Sequence, residues 1–268
     1  MQVDAASAAE EPFVLTTVAN RVATLTLNRP ERFNPLSSQM IAAMQAELNS
    51  IASNTSVGVV ILAAAGKGFS AGHDLKEMRA HTGDKGWQQG LFEACSRMMV
   101  TLTKMPQPVI ARVHGIATAA GCQLVSMCDL AVAVEEATFA MPGVNIGVFC
   151  STPAVGVVRN IGRKHAMEML LTGEPVNAAT ALSWGLVNRV VSSSQLDAEI
   201  RRFIDIILSR SSATICFGKQ AFYDQIDRPL GAAYDVASEV MARNMLLEDA
   251  AEGIDAFLQK RPAIWHGK

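Results

Sequence analysis

The fold is decided by two stretches of small residues, GIATAAGCQLVSMCD (residues 115–129) and FSAGHDL (residues 69–75). Each follows a continuous apolar run, Val109–Val113 or Val59–Ala64, of the kind that forms a strand covered on both faces. Small side chains allow a ligand to approach the backbone, and a helix that begins there offers unpaired N–H groups. If the two turns face each other, their amides form a pair of donors for one oxygen, which predicts an oxyanion hole.

Elsewhere the chain alternates strand patterns with helix patterns. Residues 13–28 predict a β-hairpin that turns at residues 19–21. Apolar residues recur at helical spacing over residues 40–51, and further strand and helix patterns follow as far as VNRVV at residues 187–191. This alternation predicts an α/β fold with parallel strand pairing.

The last part of the chain has a different character. From residue 213 onward three helical patterns carry apolar stripes, and no strand pattern interrupts them. These helices must dock on the core or on another subunit to bury their stripes. Just before this region, Ser194 and Asp197 have the spacing of a capping box and predict the start of a helix that ends near residue 210.

The composition is that of an ordinary globular protein. Of the 268 residues 50% are hydrophobic and 18% are charged, and the formal net charge is −2. This charge gives no argument for nucleic acid binding, and no apolar run approaches the ~20 residues that a membrane helix needs. The first residues lack the basic segment of a secretory signal. We therefore expect a soluble intracellular protein, either cytoplasmic or, if a transit peptide has been removed, in the mitochondrial matrix.

Metal and disulfide chemistry are not expected. The five cysteines form no CxxC pair, and their odd number argues against a disulfide framework. The histidines are scattered without the spacing of metal ligands. The cysteines are therefore interpreted as reduced thiols, and Asp129 is interpreted as a structural carboxylate.

Five blocks of sequence occur in an order that resembles the crotonase (enoyl-CoA hydratase/isomerase) superfamily, over about residues 13–261. These blocks are NRPERFNPL, VVILAAAGKGFSAGHDLKEM, MPQPVIARVHGIATAAGCQLVSMCDLAVA, MLLTGEPVNAATALSWGLVNRVV and GIDAFLQKR. The resemblance implies a spiral of ββα repeats followed by a helical trimerisation region, in trimers that often pair into hexamers. We accordingly divide the chain into a flexible leader (residues 1–12), a spiral core (residues 13–200) and a C-terminal oligomerisation region (residues 201–268).

The resemblance also implies a ligand, an acyl-CoA whose thioester oxygen accepts two backbone N–H bonds. No other cofactor is implied. By position in the motifs, the two amide donors are those of His73 and Ala120. The residues that match positions near the CoA moiety are Arg32, Phe33, Ala71, Asp74, Lys76, Phe257 and Lys260. Arg32 and Lys76 offer positive charge to phosphate groups, although both also fit ordinary surface charges.

Two departures from the family pattern concern the chemistry. The family's hydratases use two glutamates, and the corresponding positions here hold Gln123 and Gly143. Neither residue can exchange a proton near neutral pH, and the loss of one positioned acid or base typically lowers a rate ~10²- to 10⁴-fold. Efficient hydration is therefore not expected. A double variant that restores both glutamates is expected to gain hydration activity.

Several site residues leave alternatives open. His73 can act as an acid or base, or contribute only its backbone amide. Gln123 can position water or bind a substrate carbonyl, or be a polar residue satisfied by its neighbours. Cys150 and Ser151 lie near a position where some isomerases carry an aspartate, but N-capping of a helix by Ser151 or Thr152 is the simpler role. Ala120 replaces a family glycine and would be strained if its φ were positive.

Three functions follow from these observations. The first is a CoA-thioester enzyme of the hydratase/isomerase type with weak or altered activity. The second is a non-catalytic acyl-CoA-binding protein that retains the fold. A pure oligomeric scaffold is the third alternative.

Overall fold

The computed structural model describes residues 11–268. Its elements alternate between strands and helices as far as residue 208, and only helices follow. In chain order they are β1 (Val14–Ala19), β2 (Val22–Leu27), α1 (Ser38–Ala52), β3 (Val59–Ala64), α2 (Leu75–Ala80), α3 (Lys85–Lys104), β4 (Val109–Val113), β5 (Ala117–Thr118), α4 (Ala120–Ser126), β6 (Leu130–Val134), β7 (Thr138–Ala140), α5 (Ser151–Val157), α6 (Arg163–Thr172), β8 (Val176–Asn177), α7 (Ala178–Trp184), β9 (Arg189–Val191), α8 (Leu196–Leu208), α9 (Ser212–Gln225), α10 (Leu230–Asn244) and α11 (Glu248–Gln259).

The main sheet has six strands in the order β1-β2-β3-β4-β6-β9. Strands β1 and β2 form the predicted antiparallel hairpin, and its turn holds Asn20 and Arg21 at φ of 50° and 65°. Two consecutive residues with positive φ are typical of the tight turns that match strand twist. All other pairs in this sheet are parallel, which confirms the predicted pairing.

A second sheet of three short strands, in the order β5-β7-β8, lies beyond the carboxyl end of β4. Two isolated parallel bridges extend the pairing, one between Leu36 and His73 and one between Ser70 and Ala117. The first bridge connects the segment before α1 with the segment after β3, and the second connects the segment after β3 with the segment after β4. The two sequence stretches rich in small residues are thereby fixed side by side.

The core lies between the main sheet and helices α1 and α3. Leu25, Leu62 and Met98 are fully buried there. Burial of each such side chain stabilises the fold by about 1.5–3 kcal/mol. The helix patterns read from the sequence are confirmed, because the apolar residues of α1 and α3 are the ones that face this core.

The C-terminal helices pack on one another and, through α9, on α3. Lys219 of α9 is almost completely buried and donates to the carbonyl oxygens of Leu102 and Gln107 and to the carboxylate of Asp129, at 2.7–2.8 Å. Tyr223 also donates to Asp129. The structural role expected for Asp129 is confirmed, since it anchors α9 to the core.

Large apolar side chains of these helices stay exposed in the single chain, among them Leu230, Tyr234, Met241, Leu246 and Phe257. No helix within residues 11–268 is both long and apolar enough to cross a membrane.

One local prediction is wrong. The residue before α8 is Gln195, and no side chain caps this helix. Asp197 instead forms a bidentate ion pair with Arg112 of β4, so a tertiary contact replaces the predicted capping box. The predicted leader of residues 1–12 overlaps the described residues only at Glu11 and Pro12, whose carbonyl groups accept hydrogen bonds from Arg29. The rest of that predicted leader lies outside the described residues.

Candidate active site

The two turns after β3 and β4 pack directly against each other. A Cβ atom placed on Gly72 would lie 2.9 Å from the carbonyl oxygen of Thr118 and 3.1 Å from the amide nitrogen of Ala120. A Cβ atom on Gly121 would overlap the carbonyl oxygen of Ser70. The small residues are therefore required for the contact between the turns, and not only for the approach of a ligand.

The backbone amides of His73 and Ala120 have no hydrogen-bond acceptor within residues 11–268. Ala120 is the first residue of α4, so no helical partner exists for its N–H group. In the bridge between Leu36 and His73, Leu36 donates to the carbonyl oxygen of Gly72. The amide of His73 itself faces away from Leu36, because alternate residues of a strand bond to opposite sides. The contact at Gly72 brings both free amides to one region.

Backbone strain at this site falls on Ala119. Its φ and ψ are 48° and −119°, a combination that favours glycine, whereas Ala120 has no positive φ and begins the helix. The strain expected at Ala120 is therefore found one residue earlier, at Ala119. Such a conformation costs of order 1–3 kcal/mol. It turns the chain so that the first amide of α4 points out of the helix beside Gly72.

A cavity of about 400 Å³ opens beside these turns, a volume in the range of small-ligand sites. The sequence candidates that line it are Ala71, His73, Gly143 and Ser151, together with Cys150. Most of the other lining residues are apolar, namely Leu75, Met78, Phe92, Ala119, Pro142, Ile146, Val148, Phe149 and Pro153. The cavity therefore suits an uncharged apolar group.

The imidazole ring of His73 forms part of the cavity wall. It packs edge-on against Phe92 with 5.3 Å between ring centroids, and its Nε2 atom is buried without a hydrogen-bond partner. Burial lowers the pKa of His73 to about 4, and the nearby carboxylate of Glu77 offsets only part of that effect. The ring is therefore neutral near pH 7 and has one nitrogen free to accept a proton or a hydrogen bond.

Gln123 lies in α4 and is 4% exposed. Its Oε1 atom is buried and unpartnered within residues 11–268, but the residue is not part of the cavity wall. The alternative in which Gln123 is a polar residue satisfied by its neighbours therefore does not hold for this oxygen.

Gly143 has no space for a side chain. A Cβ atom there would overlap the carbonyl oxygen of Val148 and would lie 2.8 Å from Sγ of Cys150. The Val148 amide also donates to the Gly143 carbonyl at 2.9 Å, which holds the intervening loop closed. A glutamate at this position would have to displace backbone. The structure therefore argues against the expected gain of hydration activity in the double-glutamate variant.

Ser151 does not cap α5. The helix begins at Ser151 itself, and the preceding Cys150 occupies the cap position without a side-chain hydrogen bond. The hydroxyl of Ser151 donates weakly to the carbonyl oxygen of Phe149 at 3.4 Å. The capping role predicted for Ser151 is therefore wrong, and its hydroxyl remains a polar group at the cavity.

The residues assigned to the CoA moiety near the first turn do come together. Arg32 forms an ion pair with Asp74 at 2.6 Å, and Asp74 also caps α2 by accepting from the amide of Lys76. The carbonyl oxygen of Phe33 accepts from the amide of Ala71 at 2.8 Å. This group adjoins the cavity through Ala71. The Asp74 carboxylate neutralises part of the charge that Arg32 would offer to a phosphate.

The remaining two candidates lie elsewhere in the single chain. Phe257 is in the last turn of α11 and is 82% exposed, and Lys260 follows as the C-cap. Helix α11 packs mainly on α9. The fold of one chain therefore does not bring Phe257 and Lys260 to the cavity.

Sequence reasoning missed the aromatic part of the cavity wall, Phe92 and Phe149. Phe92 sits in α3 beside Leu91, off the apolar face that packs on the core. An aromatic residue on the otherwise polar side of a helix is the pattern that would have found it.

Comparison with known proteins assigns the chain to a family. Residues 17–268 match the family model for enoyl-CoA hydratase/isomerase. The chain belongs to the enoyl-CoA hydratase/isomerase family. It is 43% identical over 261 residues to the mitochondrial enoyl-CoA hydratase domain-containing protein 3 of Mus musculus, a match that covers 97% of this chain and 87% of that protein.

Solved structures of this family have the same fold. A crystal structure of an enoyl-CoA hydratase from Mycobacterium smegmatis superposes with a TM-score of 0.94 at 51% identity, covering 96% of this chain and 100% of that one. The crystal structure of human enoyl-CoA hydratase domain-containing protein 3 gives a TM-score of 0.91 at 42% identity, covering 95% and 100% of the two chains. The predicted crotonase fold is confirmed.

Proposed function

We propose that this family member binds acyl-CoA thioesters and places the thioester oxygen between the amides of His73 and Ala120. The observation that carries the proposal is the pair of free amides on the two packed turns. His73 belongs to the wall of an apolar cavity, and Ala120 directly follows Ala119 of that wall. An oxygen that gains negative charge is stabilised by preorganised N–H donors, by ~3–4 kcal/mol for one donor. The acyl chain would occupy the cavity, whose wall includes Phe92 and Phe149.

The CoA moiety would extend from the cavity past Ala71 towards Arg32 and Lys76. Arg32 pairs with Asp74 next to the turn that carries Ala71, and Lys76 lies in the first turn of α2, which Asp74 caps. A guanidinium group can bind phosphate and a carboxylate together. The ion pair with Asp74 is therefore compatible with a role for Arg32 in orienting the ligand.

The reaction follows from the missing glutamates. Gln123 and Gly143 have no group that exchanges a proton near neutral pH, and a larger side chain at residue 143 would meet the Val148 carbonyl. We infer weak or altered lyase or isomerase activity, through a thioester enolate held by the two amides. The alternative is a non-catalytic acyl-CoA-binding protein of lipid metabolism, and the space denied at Gly143 favours this alternative.

We also propose assembly into trimers or pairs of trimers through the C-terminal helices. The exposed apolar residues of α10 support contact with a second copy of this chain, and they include Leu230, Tyr234 and Met241. In such an assembly Phe257 and Lys260 of one chain would help to hold the nucleotide end of the ligand. The mouse relative is named as a mitochondrial protein, and a matrix location is proposed here only by analogy with it.

Two measurements test the proposal. Affinity for saturated acyl-CoA thioesters of increasing chain length, measured by isothermal titration calorimetry, is expected to be detectable and to rise with chain length as the cavity fills. Turnover of crotonyl-CoA, followed by loss of the enoyl absorbance, separates enzyme from binder. Absence of binding to every thioester would leave only the scaffold. Binding without turnover would establish the non-catalytic alternative.

A further inference from the structure

The cavity of the candidate active site borders a second hollow, which we call the outer groove. This groove has a volume of about 520 Å³ and lies on the face of α3 that does not pack on the core. Among residues 11–268 the walls of the cavity and the groove share Phe92 of α3 and Thr152 in the first turn of α5. These two residues therefore form the boundary between the two hollows.

The chemical character of the surface changes at this boundary. On the active-site side most residues of the wall are apolar. Apart from Phe92, the wall of the outer groove consists of polar or charged residues, namely Lys85, Gln88, Gln89, Glu93, Ser96 and Thr152. An apolar chain gains free energy by leaving water for an apolar surface and gains little on a polar one.

Phe92 supplies the larger part of the boundary, because its phenyl ring is much bulkier than the side chain of Thr152. The ring packs edge-on against the imidazole of His73, with 5.3 Å between ring centroids. On the opposite side of α3, Leu91 and Cys95 are buried in the core and hold the helix in place. The position of the phenyl ring in the cavity wall is therefore fixed from two directions.

We propose that Phe92 determines the longest acyl chain that the active-site cavity buries. This proposal rests on the acyl-CoA binding proposed above, and it makes Phe92 a specificity-determining residue. A chain that ends before Phe92 is surrounded by the apolar wall along its length. A longer chain meets the phenyl ring, and its last methylene groups stay in water or reach the polar groove.

The consequence is a break in the dependence of affinity on chain length. Each methylene group that becomes buried raises the affinity about fourfold. Methylene groups beyond the ring stay hydrated and leave the affinity unchanged. Removal of the ring joins the cavity to the space that the ring occupied, so that further methylene groups are buried there.

The test measures the Kd of saturated acyl-CoA thioesters, from butanoyl-CoA to tetradecanoyl-CoA, by isothermal titration calorimetry with the full-length protein. For Phe92→Ala we expect the break to move to chains longer by about two methylene groups or more, so that a chain just beyond the wild-type limit binds about tenfold more tightly. Phe92→Trp enlarges the ring and is expected to move the break to shorter chains. Phe92→Leu serves if the alanine variant does not fold, with a smaller shift in the same direction as for alanine.

Two control variants separate the boundary from the rest of the two walls. Phe149 is an aromatic residue that lines the active-site cavity alone, so Phe149→Ala is expected to weaken the binding of all chains and to leave the break in place. Gln89 lines the outer groove alone, and Gln89→Ala is expected to bind every chain as the wild type does.

The outcomes distinguish this proposal from the one on which it rests. If the wild type binds none of the thioesters, the proposed acyl-CoA binding fails and the role of Phe92 fails with it. If the wild type binds them without a break, or if the break stays in place in Phe92→Ala, only the role of Phe92 is overturned. An equal shift of the break in Phe149→Ala would also overturn it, since the limit would then not lie at the boundary with the groove.

Discussion

The strained turn before α4 gives a prediction in which neighbouring alanines respond in opposite directions. Ala119 holds φ and ψ of 48° and −119°, and its methyl group faces Gly72 at the contact between the two turns. Glycine adopts this conformation without the steric conflict that a Cβ atom introduces. We therefore expect Ala119→Gly to stabilise the protein.

The size of the effect follows from opposing terms. Relief of the strained conformation contributes about 1–3 kcal/mol, and the added freedom of a glycine in the unfolded chain removes about 0.4–1 kcal/mol. Glycine is also slightly better than alanine at an N-cap, which adds to the gain. The expected net stabilisation is about 0.5–2 kcal/mol. For a chain of this length each kcal/mol moves the Tm by about 2–4 °C.

Ala120→Gly is the matched control. Ala120 is helical and fully buried, so this change introduces a glycine into a helix and removes a buried methyl group. The expected destabilisation is about 1–2 kcal/mol. Urea denaturation and differential scanning calorimetry on the same assembly state would measure both variants against the wild type. A Tm for Ala119→Gly equal to or below that of the wild type would refute the assignment of strain to Ala119.

Two further predictions concern contacts inside the protein, the ion pair of Lys219 with Asp129 and the packing at Gly143. Lys219→Met leaves the buried carboxylate of Asp129 without its cation. We expect the free energy of unfolding, measured by urea denaturation, to fall by about 3–5 kcal/mol and to be partly restored by adding Asp129→Asn. Equal stability of Lys219→Met and the wild type would contradict this. Gly143→Ala forces a methyl group against the Val148 carbonyl and should cost about 1–3 kcal/mol in the free energy of unfolding. The control Gly90→Ala, inside α3 and with no neighbouring atom within 4 Å, should leave the stability unchanged or raise it by up to about 1 kcal/mol. Similar values for the two alanine variants would show that the loop at Gly143 yields.

Most of the fold could be predicted because its determinants are local. The hairpin, the apolar strands β3 and β4 and the helices α1 and α3 follow from periodicity and turn residues over short segments. The order of these elements restricts the strand pairing to a parallel arrangement.

What could not be predicted depends on contacts between distant segments. Asp197 has the spacing of a capping residue, yet Arg112 lies 85 positions away and takes its carboxylate. The side-chain partners of Asp129 are 90 and 94 positions away in α9. For such residues several partners are compatible with the sequence, and only the folded geometry selects one.

The same distinction explains why the site is only partly readable from the motif. Gly72 and Gly121 are required because any side chain there would meet the facing turn, so their presence follows from packing as much as from catalysis. Gln123 and Gly143 are not part of that contact between the turns, and Gly143 is restricted instead by the Val148 carbonyl and Cys150. A chain can therefore keep the contact between the two turns while the residues at the glutamate positions change. For this protein the match to the family motifs is strong where packing dictates the residues, and it fails at Gln123 and Gly143, the two positions where the family's hydratases carry glutamates.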